Sequence, residues 1–430
     1  MDLVLRGGRV LGATDPSGAA RDVAADVRIR DGRIVEIAPG LRGGREVAVT
    51  DLWVVPGLVD LHAHLREPGA EHKEDLVSGA RAAAHGGFTT VCAMPDTAPV
   101  NDQRTVTELI VRRAAEIGLA RIRPIGAITR GLDGERLADI ADMKDGGIVA
   151  VADGDRAVAD AAVLRRALEY CRTFDLPLVQ HAEDLHLAEG GVMHEGALAT
   201  RIGLRAHPAM AESAMVARDL EIVAATGGRY HLAHVSAART VDLIRDAKRR
   251  GLPVTAEVSA LHLLLTEAAC TDYDPHARLS PPLRGEADRQ ALLAGVADGT
   301  IDCVVSDHAP TALTEKEGLF EEAVPGAVGL ETTLAVVLGL VAGGHLPRAR
   351  ALDALAAAPA RAFALPAATL APGALADIAV IDPGRAWTVA AHELVGKSKH
   401  TPLLGRSLVG RAVLTLLAGA ATCDRDGRMA

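Results

Sequence analysis

The sequence predicts a parallel (β/α)8 TIM barrel carrying a small β-sandwich domain built from both chain termini. Two observations predict it. Through the middle of the chain, eight short apolar runs alternate with stretches of helical periodicity, the pattern of strands joined by crossover helices. At both ends, short alternating runs are separated by glycine turns instead. A third feature gives the barrel a purpose: several of the middle runs end in histidine or aspartate. The expected division is 1–53 and 372–430 for the two parts of the β domain, with the barrel over 54–371.

Taken in order, residues 3–10 read as a strand running into a glycine turn. Residues 25–37 alternate apolar and polar on either side of Asp31-Gly32, a strong hairpin signal. The middle strands are expected at 54–61, 89–94, 122–128, 148–152, 178–180, 230–233, 254–258 and 301–305. Helical patterns fill most gaps, at 75–84, 106–117, 158–173, 211–225, 237–249 and 286–297. Residues 311–328 lack a clear period and follow the last strand, where a substrate lid belongs. The alanine-rich run 351–360 reads as helix. Residues 373–382 then read as turn and strand, and 407–417 as a closing hairpin.

Composition narrows the function. The 430 residues are 49% hydrophobic and 24% charged, enough for a large core and more than one domain. A net charge of -10, with 2% aromatics, argues against a nucleic-acid surface. The five cysteines have no C-x-x-C spacing, so they form neither a disulfide framework nor a thiolate metal site. The N-terminus has no basic segment followed by a long apolar stretch. No uncharged apolar run reaches the roughly 18 residues that span a bilayer. These features predict a cytoplasmic protein without membrane or nucleic-acid partners.

The chemistry is expected at the C-terminal strand ends, where barrels of this kind build their sites. The first strand ends in His62-Ala63-His64. Side chains two apart on a strand share a face, so both imidazoles can hold one metal. Arg66 follows at the mouth, where a cation can meet an anionic substrate. Strand 4 ends in Asp153, strand 5 in His181, strand 6 in His234 and strand 8 in Asp307. Four imidazoles and two carboxylates with no thiolate suit zinc or another divalent first-row ion. Six ligands exceed what one four-coordinate zinc needs, so two metals bridged by a carboxylate are expected. His231 is set aside as facing the other way on its strand. His72, His85, His186, His194 and His207 are taken as surface or packing residues, and His308 as a neighbour of the ligands. Lys144 comes too early to reach the site.

Four segments carry a family resemblance: Asp60-Leu61-His62-Ala63-His64-Leu65-Arg66-Glu67-Pro68-Gly69, residues 87–97, Pro281-Pro282-Leu283-Arg284 and Asp307-His308-Ala309-Pro310. The chain resembles the dihydroorotases, in particular the long bacterial type within the cyclic amidohydrolases. The resemblance spans nearly the whole chain. It implies reversible opening of dihydroorotate to N-carbamoyl-L-aspartate in pyrimidine synthesis, on two zinc ions that activate a water. It also implies Asp307 as general base then acid, and Arg66 on the substrate carboxylate. Many relatives in the wider superfamily bridge their metals with a carbamylated lysine on strand 4. This chain has none there, and the resemblance puts Asp153 in the bridging role. Substrate contacts are expected from Asp96, Ser280 and Thr311, where many relatives have Asn, Asn and His. Those departures leave an allantoinase- or hydantoinase-type substrate open. A non-catalytic partner of aspartate transcarbamoylase should have lost ligands, and none of the six is missing. A homodimer and an association with aspartate transcarbamoylase stay open.

Overall fold

The computed structural model describes residues 2–14 and 20–429. Eight strands from the two ends of the chain join one sheet that wraps around its own core of Leu3, Leu5, Val27, Ile34, Val54, Ile378 and Leu414. The long strand Asp2–Thr14 is its spine. Its first half pairs with Arg45–Ala48 and its second half with Trp53–Pro56, the two sets separated by a register shift after Leu5. The hairpin expected across Asp31-Gly32 is present as Ala20–Arg30 against Arg33–Ala38. The C-terminal strands Ile378–Thr388, Ser407–Leu417 and Ala420–Asp424 complete the sheet through Trp53–Pro56.

The barrel follows. Its strands are Leu58–Ala63, Phe88–Ala93, Arg121–Pro124 continued by Gly126–Ala127, Val151–Ala152, Leu178–Gln180, Tyr230–Leu232, Val254–Ser259 and Cys303–Val305. Neighbouring strands pair in parallel in sequence order. Hydrogen bonds between His64 and His308, and between His308 and His62, close the ring from last strand to first. Alternation places Val59, Leu61, Cys92, Ala152, Val179, Ala233 and Val305 in the interior, joined there by Phe363. Helices pack outside; Leu76–Gly86, for example, starts on an Asp75 capping box and stops at Gly87 in the left-handed region.

The expected strand 54–61 is two strands. Trp53–Pro56 belongs to the β domain and Leu58–Ala63 to the barrel. The break falls at Gly57, where a Cβ would lie 2.1 Å from Thr89 Oγ1. Only glycine lets the chain pass that close to its neighbour while changing sheets. Among the described residues no helix is long and apolar enough to cross a membrane, and all five cysteines are buried free thiols.

Candidate metal centre

His62 and His64 are fully buried at the end of the first barrel strand. His62 Nδ1 lies 2.6 Å from Glu257 Oε1, and His64 Nδ1 lies 2.8 Å from Asp96 Oδ2. A carboxylate only accepts, so each ring carries a proton on Nδ1 and presents Nε2. Both Nε2 atoms are buried without a hydrogen-bond partner among the described residues. Two imidazole nitrogens side by side with no protein partner fit a divalent metal. Burial opposes a proton on His62, yet Glu257 and then Asp307 and Asp155 outweigh it and lift the ring to about 10. The pocket is thus built to hold positive charge, whether carried by a proton or by a metal.

A second pair stands beside the first. His181 Nδ1 is 3.1 Å from His234 Nε2, and the His62 and His234 ring centroids are 5.0 Å apart. His181 is held in the opposite sense to His62, with Nε2 on Glu183 Oε2 at 2.9 Å and Nδ1 facing the site. Asp155 joins the two halves. His62, His64 and Asp155 form one group able to hold an ion, and Asp155, His181 and His234 form another, each with ligand atoms within 4.8 Å.

Asp155 is therefore the carboxylate these two groups share, while the expected Asp153 belongs to neither. Asp153 is buried, but its Oδ1 accepts from the Ile128 and Thr129 N–H groups and its Oδ2 from the Thr129 hydroxyl. These three bonds tie strand 4 to the loop after strand 3 and take up both Oδ1 lone pairs and one of Oδ2. Gly154 then adopts a left-handed φ of 65°, and Asp155 follows at the mouth with Oδ1 3.6 Å from His64 Nε2.

Asp307 stands 3.9 Å from His62 Nε2, outside the two tight groups. Burial pushes its carboxyl up to about 6, with His62 pulling it down and Asp155 pushing it up. That is a useful range for a group that must take and return a proton near neutrality. Arg66, His234 and Asp307 all have positive φ, at 63°, 29° and 50°. Such backbone persists only where the surroundings enforce it, and it clusters at functional sites. The left-handed turn at His234 also breaks the strand alternation. His231, two residues before the interior Ala233, faces inward by alternation, against expectation, with Nε2 3.1 Å from Glu257 Oε2; the turn is what lets His234 face the site as well.

The expected substrate contacts divide. Arg66 donates through Nη1 to Asp96 at 2.5 Å and through Nε to the Pro310 carbonyl at 3.2 Å. Asp96 thus serves His64 and Arg66 with one oxygen, and the His64 and Arg66 charges hold its pKa well below the usual range against the effect of burial. Thr311 is buried, and its hydroxyl has no partner among the described residues. Ser280 is half-buried ahead of Pro281, whose carbonyl faces His262 Nε2. His308 is buried with Nε2 3.5 Å from Glu74 Oε2. His207, expected to be a packing residue, is bonded to Glu183 at 2.8 Å.

Sequence reasoning passed over Asp155, Glu183 and Glu257. Each left a trace. Glu257 is the one charge in the apolar run 254–265. Glu183 follows His181 by two residues, and Asp155 follows Asp153 by two.

The Dihydro-orotase-like family model matches residues 52–240. A dihydroorotase of Anaeromyxobacter dehalogenans (strain 2CP-C) is 51% identical over 97% of this chain and 96% of its own. One from Syntrophotalea carbinolica is 45% identical over 98% of this chain and 99% of its own. Among solved structures, an L-hydantoinase from Arthrobacter aurescens superimposes with a TM-score of 0.87 at 24% identity, covering 99% of this chain and 96% of that one. A dihydropyrimidinase from Brevibacillus agri NCHU1002 gives 0.82 at 22% identity, covering 99% and 95%. At those identities the two structures speak for the fold alone: a barrel with a β-sandwich.

Proposed function

The chain belongs to the dihydroorotase family, and from that premise we propose that it opens the dihydroorotate ring reversibly to N-carbamoyl-L-aspartate, using two zinc ions. The observation that carries the metal reading is the pair of ligand groups sharing Asp155, the first of them with the unpartnered Nε2 atoms of His62 and His64. The nitrogen and oxygen donors suit zinc. When bound, the metals lower the pKa of a water and polarise a carbonyl.

The protein's own groups do the rest. His62 and His64 would hold one metal and His181 and His234 the other, with Asp155 within reach of both groups. Asp307, raised toward neutrality by burial, takes a proton from the attacking water and delivers it to the leaving ring nitrogen. Arg66 holds the substrate carboxylate with the donors that Asp96 and Pro310 leave free. Asp96 fixes the arginine and His64 instead of touching the anion. The buried Thr311 hydroxyl, beside the Pro310 anchor, offers a further polar contact, as does Ser280.

The reading extends to action in the cytoplasm, on the sequence features above, and to a homodimer able to associate with aspartate transcarbamoylase, on the family resemblance. The deciding experiment assays purified protein on dihydroorotate, hydantoin and allantoin side by side, with metal counted. Dihydroorotate turnover should dominate, at two metals per chain. Faster turnover of the uncharged rings, or full activity after chelation, would overturn the reading.

A further inference from the structure

His181 is at the end of a buried chain of hydrogen bonds whose direction is fixed far from the metal centre. The Glu212 carboxylate accepts from the Ser236 hydroxyl, and Ser236 Oγ accepts from Arg284 Nε at 3.0 Å. Arg284 Nη1 donates to the His207 carbonyl at 2.7 Å, and Nη2 lies 3.3 Å from His207 Nδ1. His207 Nε2 is 2.8 Å from Glu183 Oε1, and Glu183 Oε2 is 2.9 Å from His181 Nε2. Glu212, Ser236, Arg284, His207 and His181 are all buried.

A guanidinium cannot accept a hydrogen bond. Facing Arg284, His207 Nδ1 must therefore be the bare nitrogen, and the His207 proton must sit on Nε2. That proton goes to one oxygen of Glu183. The other oxygen can only accept, so His181 must carry its proton on Nε2. Its Nδ1 is left as a lone pair toward His234 and Asp155. A proton on His181 Nδ1, where a metal must bind, would need the ring turned away from Glu183; the His207 donor, itself oriented by Arg284, holds the other Glu183 oxygen and so keeps the carboxylate aimed at His181 Nε2.

We propose that Arg284, His207 and Glu183 are positioning residues that select the Nδ1 ligand form of His181 and so set the affinity of the second metal position. The inference rests on the two-metal reading above. It gives the otherwise unexplained burial of Arg284, within Pro281-Pro282-Leu283-Arg284, a role in metal loading at a distance.

The test is zinc titration of full-length protein in metal-buffered dialysis, with cobalt(II) spectra of the same variants. Glu183→Gln is nearly isosteric but places an amide donor against one of two rings that must both donate. His207→Phe breaks the chain. His207→Gln restores its polarity, since the amide oxygen accepts from Arg284 and the amide nitrogen donates to Glu183. Wild type should bind two metals. Glu183→Gln and His207→Phe should bind the first normally and the second about 10–100-fold more weakly, the range reported for outer partners of metal ligands. The cobalt bands of that position should change, and His207→Gln should stay within a few-fold of wild type. Two metals at wild-type affinity in Glu183→Gln would overturn the relay while leaving the parent reading intact. So would a loss in His207→Gln as large as in His207→Phe. Should His207→Phe fail to fold, judged by its circular dichroism, Glu183→Gln decides alone. Fewer than two metals in wild type would overturn the two-metal reading itself, and the relay with it.

Discussion

With Asp155 proposed in place of Asp153 as the shared carboxylate, two conservative changes two residues apart should have opposite consequences. Asp153 accepts three hydrogen bonds, from Ile128 N, Thr129 N and Thr129 Oγ1, at 2.9, 2.9 and 2.5 Å. In Asp153→Asn the amide nitrogen faces the Thr129 hydroxyl, which already accepts from Gly134 N, and one charge-assisted bond is lost. Such a bond contributes about 1.5–3 kcal/mol, so the metal-free protein should lose about that much stability. Asp155 is different. Its side chain is 44% exposed and its nearest site atom, His64 Nε2, is 3.6 Å away. Asp155→Asn should leave metal-free stability within about 0.5 kcal/mol of wild type, as exposed substitutions do. It removes a direct ligand, so metal affinity should fall by more than the roughly 10–100-fold that outer partners carry. Thermal melts of chelated protein and zinc titration of both variants read the two quantities separately. Loss of metal in Asp153→Asn with full loading of Asp155→Asn would refute the assignment.

Further outcomes follow from the same geometry. Asp307→Asn should cut turnover by roughly two to four powers of ten, the contribution of general acid–base groups, measured as kcat at verified metal content; near-normal turnover removes Asp307 from the proton path. Arg66→Ala should weaken dihydroorotate turnover by on the order of 2–5 kcal/mol in kcat/KM, since it leaves an anion unpaired, with metal content unchanged. Asp96→Asn should be mild, within about tenfold, because an asparagine oxygen can still accept from both His64 and Arg66; a switch of preference toward hydantoin would contradict the positioning role. Burial raises Glu331 from 4.5 to about 7, although Val395 and Gly396 N–H groups donate to it. The folded state therefore binds this proton more tightly than the unfolded one, and stability falls as pH rises from 4.5 to 7. Glu331→Gln keeps the acceptor without the charge, so it should be the more stable protein at pH 8, by on the order of 3 kcal/mol, with the difference gone near pH 4. Equal melting curves at pH 8 would dismiss the effect.

The barrel was legible because its strands are apolar on both faces and punctuated by helical periods, a signal local to each segment. His62 and His64 were legible for a similarly local reason, the two-residue repeat of a strand. What misled was backbone geometry that periodicity does not encode. At His234 a positive φ brought that ring to the side His231 already faced. At Gly57 a close approach to Thr89 divided one apolar run between two domains. At Gly154 a left-handed residue let Asp153 and Asp155 part company, one into the loop and one into the site.

The carboxylates behind the histidines were harder still, because their partners are distant in sequence. Glu257 lies 195 residues from His62 and Asp96 lies 32 from His64. Each fixes which ring nitrogen faces the mouth. His62 and His64 present Nε2, whereas His181 presents Nδ1 because Glu183 grips its other side. A donor list read from sequence treats the four imidazoles as equivalent. The fold makes them two kinds of candidate ligand by setting Glu257 behind His62, Asp96 behind His64 and Glu183 behind His181, and in that way fixes which nitrogen each of these three rings turns toward the mouth.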